Sequence, residues 1–441
     1  MENYKKASFI NNTSWNLVGQ VVRLIIAFFL NIITSRYLGP ANIGVINYVA
    51  SYLAFFTSLV TLGLNGVIIH ELVNHRNEEG KILGSAVVLR FVAGLISVIT
   101  FVCLMIIVDG DDSTIMLVAA VQAVQLPLMC MDTINFWYQS RMQSKYSVIA
   151  QTGAYVFMAI YKSYLLISGK NVIWFAASSS LDVILLSGLY YVFYNKHKVQ
   201  KLKFSFIYSK KLLLMGLPFI LANLMVVVYG QMDKIMIKQL LNSTEEVGLY
   251  SAAINICGLI GFIPISILDS GRPMIAEAKS VGQEEYEKRF KQVVAAIIWL
   301  CFIYSFGVTI LSKPIIYLLY GRDYIGGDLC LKIAVWYTSF SYLGSARSFW
   351  LICENKKRFV FIFSAFGAGC NVIMNFLLIP LWGIEGAALA TLITQIMANF
   401  ILPVCFKGTR RYGRLVIEAV CLKEIDAIQM LNLVKNKIKR K

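Results

Sequence analysis

Along the chain, apolar residues gather into twelve runs of membrane-helix length, at about 14–36, 43–69, 82–108, 114–137, 147–167, 172–194, 212–240, 248–271, 292–312, 329–353, 359–380 and 386–406. An even number of crossings puts both termini on one side, and the Lys/Arg bias decides which side that is. Thirty basic residues fall on the terminal side, including six lysines in 196–211 and ten residues after Phe406, against only Arg36, Lys170, Lys238, Lys313, Arg322 and Lys332 on the other. The pattern predicts a multi-pass membrane protein with cytoplasmic N- and C-termini. The tail at 407–441 carries a helical apolar stripe, Leu415, Val416, Val420, Ile425 and Ile428, with basic flanks. Such a stripe predicts a helix lying on the inner membrane surface.

Two runs carry a polar face. The first presents Asn16, Gln20, Arg23, Ala27, Asn31 and Thr34 at helical spacing, and the second Asn47, Ser51, Ala54, Ser58, Thr61 and Asn65. Polar faces also join helices to one another. Arg23, however, sits mid-face with no acidic residue in either helix core, so its guanidinium asks for an anion, and phosphate matches it bidentately.

An internal repeat is legible. Arg36-Tyr37-Leu38 and Gly44-Val45-Ile46 correspond, 202 and 204 positions on, to Lys238-Gln239-Leu240 and Gly248-Leu249-Tyr250. Leu165-Leu166-Ile167 before Gly169 echoes Leu377-Leu378-Ile379 before Gly383. The repeat predicts an N-terminal six-helix lobe at 1–195, a basic cytoplasmic linker at 196–211 acting as a hinge, a C-terminal six-helix lobe at 212–406 and a basic tail at 407–441. Halves of even span number share orientation, with a cavity between lobes as the expected consequence.

Composition sharpens the functional question. The 441 residues are 58% apolar and 15% charged, which leaves no room for a soluble catalytic domain. A net charge of +17 would suit nucleic acid in a soluble protein, but here it follows from topology, and no nucleic-acid partner is expected. Nine cysteines without C-x-x-C spacing and three histidines in polar loops predict no metal site, and no cofactor is called for. P-loop, H-E-x-x-H and G-x-S-x-G motifs are absent, so no enzyme is expected.

Ionisable residues inside spans mark functional positions or partners. Besides Arg23 these are Arg90, Lys162, Asp182, Asp233 and Lys234, with Asp132, Asp269 and Arg347 nearer span ends. The cations and the polar faces form a candidate substrate site of Arg23, Gln20, Asn16, Asn31, Asn47, Ser51, Arg90, Lys162 and Lys234. Asp233 and Asp182 are candidates for coupling to an ion. Mutual pairing, of Lys162 or Arg90 with Asp182 for instance, is the alternative.

The segment Ser35-Arg36-Tyr37-Leu38-Gly39-Pro40 with Gly44, then Thr61-Leu62-Gly63-Leu64-Asn65-Gly66, resembles the opening of the Wzx-type polysaccharide-repeat-unit flippases. Asn371, Asn375, Ile379-Pro380 and Gly383-Ile384-Glu385-Gly386-Ala387-Ala388 resemble that family's last two helices and the turn between them. The likeness covers 8–406. It implies an all-α polytopic fold of about twelve transmembrane helices, in two six-helix bundles forming a V around a central cavity, within the multidrug/oligosaccharidyl-lipid/polysaccharide exporter superfamily. It further implies flipping of undecaprenyl-pyrophosphate-linked oligosaccharide from the cytoplasmic to the outer leaflet of a bacterial inner membrane by alternating access, for O-antigen, capsule or exopolysaccharide. Membrane lipid and a polysaccharide polymerase are the partners that go with that role. The alternative is an ion-coupled multidrug or metabolite antiporter of the same superfamily, which would want acidic cavity residues.

Overall fold

A computed structural model describes the backbone of residues 2–421 and the side chains of 26–421. Among the described residues there are helices and no strands. The α-helices are α1 (Glu2–Val60), α2 (Leu64–Asn74), α3 (Glu79–Asp109), α4 (Ser113–Ala123), α5 (Gln125–Leu128), α6 (Thr133–Ser140), α7 (Ser144–Ile167), α8 (Val172–His197) and α9 (Phe206–Leu241). They continue as α10 (Thr244–Gly258), α11 (Phe262–Val281), α12 (Gln283–Leu319), α13 (Asp328–Cys353), α14 (Lys357–Ile396), α15 (Leu402–Cys405) and α16 (Arg410–Val420). Eight continuous helical stretches are long and apolar enough to cross a membrane. The first and last each contain two of the expected runs, and α7 and α13, at 24 and 26 residues, supply the remainder of the twelve.

Several expected turns shrink to one or two residues. α1 carries both of the first two runs and is interrupted only at Gly39 (φ 73°, ψ 169°), a conformation confined to glycine, after which Pro40 restarts the helix. α14 is broken in the same way at Trp382 and Gly383 (φ 58°). The second run breaks again at Leu62 and Gly63, both with positive φ, and the fourth at Pro127, which lacks a backbone donor. Left-handed residues recur in pairs at matching joints of the two halves: Gly39 with Asn242, Met142 with Asn355, and Gly169 with Gly383.

Contacts divide the chain into two compact units, residues 1–238 with 243–248, and residues 239–242 with 249–441. In the first, Leu64, Ile68, Ile82, Trp137, Tyr138 and Tyr190 form a buried core. Its segment 196–211 is bonded to the start of α3. The Lys203 N–H donates to Gly80 O at 2.9 Å, the Gly80 N–H to Gln200 Oε1 at 3.0 Å, and Ser85 exchanges hydrogen bonds with Ser205 at 3.0 Å. Lys211 closes the end with an ion pair to buried Glu71 at 2.5 Å. The segment expected to act as a hinge is thus bonded at Gln200, Lys203, Ser205 and Lys211.

The second unit packs Tyr286, Phe290, Trp350, Leu351 and Phe363 with four residues of α16: Tyr412, Leu415, Val416 and Ala419. Leu415 and Val416 of the stripe expected to face lipid are thus turned onto protein, while Val420 is exposed. Two ion pairs fix the helix there, Arg411 with Glu287 and Lys291 with Glu418. An amphipathic period is the same for either surface; the Glu287 and Lys291 partners on α12 decide it here. The stripe's continuation at Ile425 and Ile428 lies outside the described residues.

Candidate functional site

The first unit contains two cavities along the second run. The larger, about 630 Å³, is lined by Ala54, Thr57, Ser58, Thr61 and Asn65, by Gln122 and Gln125, by Ser179 on α8 and by Asn223 on α9. Ile46, Ala50, Leu53, Val226 and Val227 make the apolar part of its wall, and among the described residues no charged side chain lines it. The smaller, about 330 Å³, is lined by Ala27, Asn31, Thr34, Asn47, Gln122, Tyr155, Ser178 and Ser179, with Lys162 from α7 and Asp182 from α8. Ile46, Gln122 and Ser179 border both.

The polar faces explain this placement. A helix with small and polar residues at 3.6-residue spacing leaves one side unfilled by bulky groups. Ala54, Ser58, Thr61 and Asn65 from one face line the larger cavity, and Ala27, Asn31 and Thr34 from the other line the smaller. Asn47 joins the smaller cavity, whereas Ser51 turns toward α9, donating to Gln231 Oε1 at 3.2 Å. The side chains of Asn16, Gln20 and Arg23 lie outside the described residues.

The remaining in-span charges separate into different roles. Arg90 is buried, donating through Nη2 to Asn65 Oδ1 at 2.9 Å and through Nη1 to Thr133 Oγ1 at 3.3 Å, with its guanidinium over the Phe136 ring. Asp132 acts on it electrostatically, and Arg90 lines neither cavity. It orients Asn65, which does. Lys234 donates to the same Gln231 oxygen as Ser51, at 3.2 Å, and Asp233 is buried on α9 outside both linings. Lys162 and Asp182 both line the smaller cavity and act on each other electrostatically, without a direct ion pair between them among the described residues.

Sequence reading passed over Gln122, Gln125, Tyr155, Ser178 and Ser179. The signal was present in the two glutamines, which stand inside an otherwise apolar run just before Pro127. No group of three or more metal-ligating side chains occurs among the described residues.

Near the Gly39 joint, Asp109 closes a buried cluster. It accepts from Tyr48 Oη at 2.5 Å and pairs with Lys238, whose ammonium also lies over the Tyr48 ring. By the charge pattern Lys238 belongs to a turn, yet here it is part of a buried cluster. Burial of the pair is tolerable because the carboxylate gains two donors at once.

The profile of a family described as polysaccharide biosynthesis protein matches residues 9–279, and that of MatE matches residues 218–377. Among curated proteins none matches the sequence. Among solved structures, the inward closed conformation of the lipid II flippase MurJ superposes with a TM-score of 0.72 at 15% identity, covering 93% of this chain and 92% of that one. The inward-facing conformation of a multidrug resistance MATE family transporter of the MOP superfamily gives 0.67 at 14%, covering 92% and 99%. A MOP superfamily transporter from Pyrococcus furiosus, whose binding pocket is described as of reverse polarity, gives 0.57 at 13%, covering 93% and 96%. These likenesses establish a shared fold, and the neighbours are a flippase and transporters, not enzymes.

Proposed function

The chain belongs to the polysaccharide biosynthesis protein family, and from that premise we propose that it flips a lipid-linked oligosaccharide, an undecaprenyl-pyrophosphate-linked repeat unit, from the cytoplasmic to the outer leaflet of a bacterial inner membrane. The observation that carries the reading is the larger cavity, whose polar wall is made of amides and hydroxyls alone. These groups exchange hydrogen bonds with sugar hydroxyls in both directions, and the described lining has no carboxylate to pair with an organic cation. The pyrophosphate would be met by Arg23, one helical turn before Ala27 in the sequence and so in line with the face that lines the smaller cavity. The lipid tail stays in the bilayer, since a cavity of about 630 Å³ is too small to enclose it.

A second reading, ion-coupled antiport, is favoured by the MatE match over 218–377. Reconstitution separates the two. Vesicles holding a fluorescent polyprenyl-pyrophosphate oligosaccharide in one leaflet should transfer it to the other only when the protein is present. Gradient-driven uptake of a cationic drug without any lipid transfer would establish the antiporter and sink the flippase.

A further inference from the structure

The smaller cavity carries a chemistry different from that of the larger one. Asp182 Oδ1 is closed off from solvent and has no hydrogen-bond donor among the described residues. A buried carboxylate oxygen left in that state is unfavourable, and its environment is completed by whatever brings a donor. Lys162 lines the same cavity and acts on Asp182 electrostatically. The ammonium offsets the carboxylate's charge, so the cavity lacks the excess negative field that would concentrate a small cation. The rest of the polar wall, Asn31, Asn47, Gln122 and Tyr155, offers both donors and acceptors.

Size narrows the occupant. At about 330 Å³, roughly half the larger cavity, the smaller one has room for a hexose ring. Location narrows it again. The shared border of Ile46, Gln122 and Ser179 sets the smaller cavity directly beside the larger.

We propose that the smaller cavity is a recognition subsite for a single uncharged sugar ring, Asp182 accepting from neighbouring hydroxyls and Lys162 donating to ring or hydroxyl oxygens. The proposal rests on the saccharide reading given above and deepens it, making the Lys162 and Asp182 pair the element that selects the sugar.

The test uses the full-length protein in lipid nanodiscs, with saturation-transfer NMR against a panel of neutral methyl hexosides, a methyl hexuronide and sodium chloride. A neutral hexoside should bind saturably, at least tenfold more tightly than the hexuronide, and Asp182→Asn and Lys162→Gln should each weaken it about tenfold or more. Asn47→Leu, which keeps the charged pair intact, should weaken it as well, and this variant carries the test if the charge variants unfold. Absence of neutral hexoside binding, indifference to these substitutions, or sodium displacing the sugar at Asp182 would overturn the proposal. Hexoside binding by a protein that transfers no lipid would uphold the subsite and sink the flippase reading, whereas lipid transfer without hexoside binding would do the reverse.

Discussion

Gly44 and Gly248, separated by 204 positions, fill reciprocal places in one helix crossing. A Cβ on Gly44 would fall 1.6 Å from Thr244 O, and a Cβ on Gly248 would fall 2.0 Å from Pro40 O. Pro40 and Thr244 are themselves 204 positions apart, so the contact obeys the repeat. Backbones approach this closely only where neither helix carries a side chain.

Gly44→Ala and Gly248→Ala should therefore each destabilise the protein by about 1–3 kcal/mol through overpacking, more than the roughly 1 kcal/mol of helix propensity that alanine returns. Thermal unfolding in detergent checks this, with Gly66→Ala as a control because a Cβ there meets nothing within 4 Å. Unchanged melting for both variants would mean the crossing opens freely.

Gly39 separates conformation from crowding. Nothing lies within 4 Å of its absent Cβ, yet its backbone angles belong to glycine. Gly39→Ala should lose about 1–3 kcal/mol from backbone strain alone, visible as a lower melting temperature in a variant with no steric clash.

Arg90 and Gln122 should behave differently despite their nearness in the fold. Arg90→Ala removes a buried guanidinium that holds Asn65 and Thr133, at about 1.5–3 kcal/mol per charged hydrogen bond lost, so membrane abundance should fall along with transport. Gln122→Ala, at the border of both cavities, should keep abundance and lose lipid transfer. Quantitative blotting beside the vesicle assay distinguishes them.

Arg23→Ala should abolish lipid transfer with the protein at normal abundance. Arg23→Lys should retain part of it, because charge survives while bidentate geometry does not. Full transfer by Arg23→Ala would end the pyrophosphate role.

Docking of α16 should depend on acid. Hydrogen bonding from Arg411 holds the Glu287 carboxyl below its ordinary range. A depressed carboxyl contributes stability above its unfolded pKa, about 4.3, that is lost as pH falls through the lower folded value. Protection factors across 410–420, corrected for intrinsic amide exchange, should hold between about pH 5 and 8 and fall in stronger acid. Arg411→Gln should lower protection already at neutral pH and remove most of the acid dependence, since the bond that depresses the Glu287 pKa is gone.

The run of apolar segments made the helices and their number legible, and the polar faces located the cavity wall from Ala54 to Asn65. What the sequence could not show were meetings between distant residues. Arg90 is a mid-span cation like Arg23 by pattern, yet Asn65, 25 positions away, and Thr133, 43 positions away, occupy its donors. Asp109 sits among acidic turn residues, and only the fold brings Lys238 to it. The α16 stripe had the period of a lipid-facing helix, and the ionic partners that turn it onto protein lie more than a hundred positions earlier.

The bonded segment between α8 and α9 has a further consequence. The sequence repeat begins anew after it, but α9 is counted with the first compact unit, to which Lys211, Gln231 and Lys238 tie it. The expected repeat and the compact units thus draw their borders in different places. Split at 198–205 and co-expressed, the two fragments would be interdependent, the first incomplete until the second delivered α9 to it.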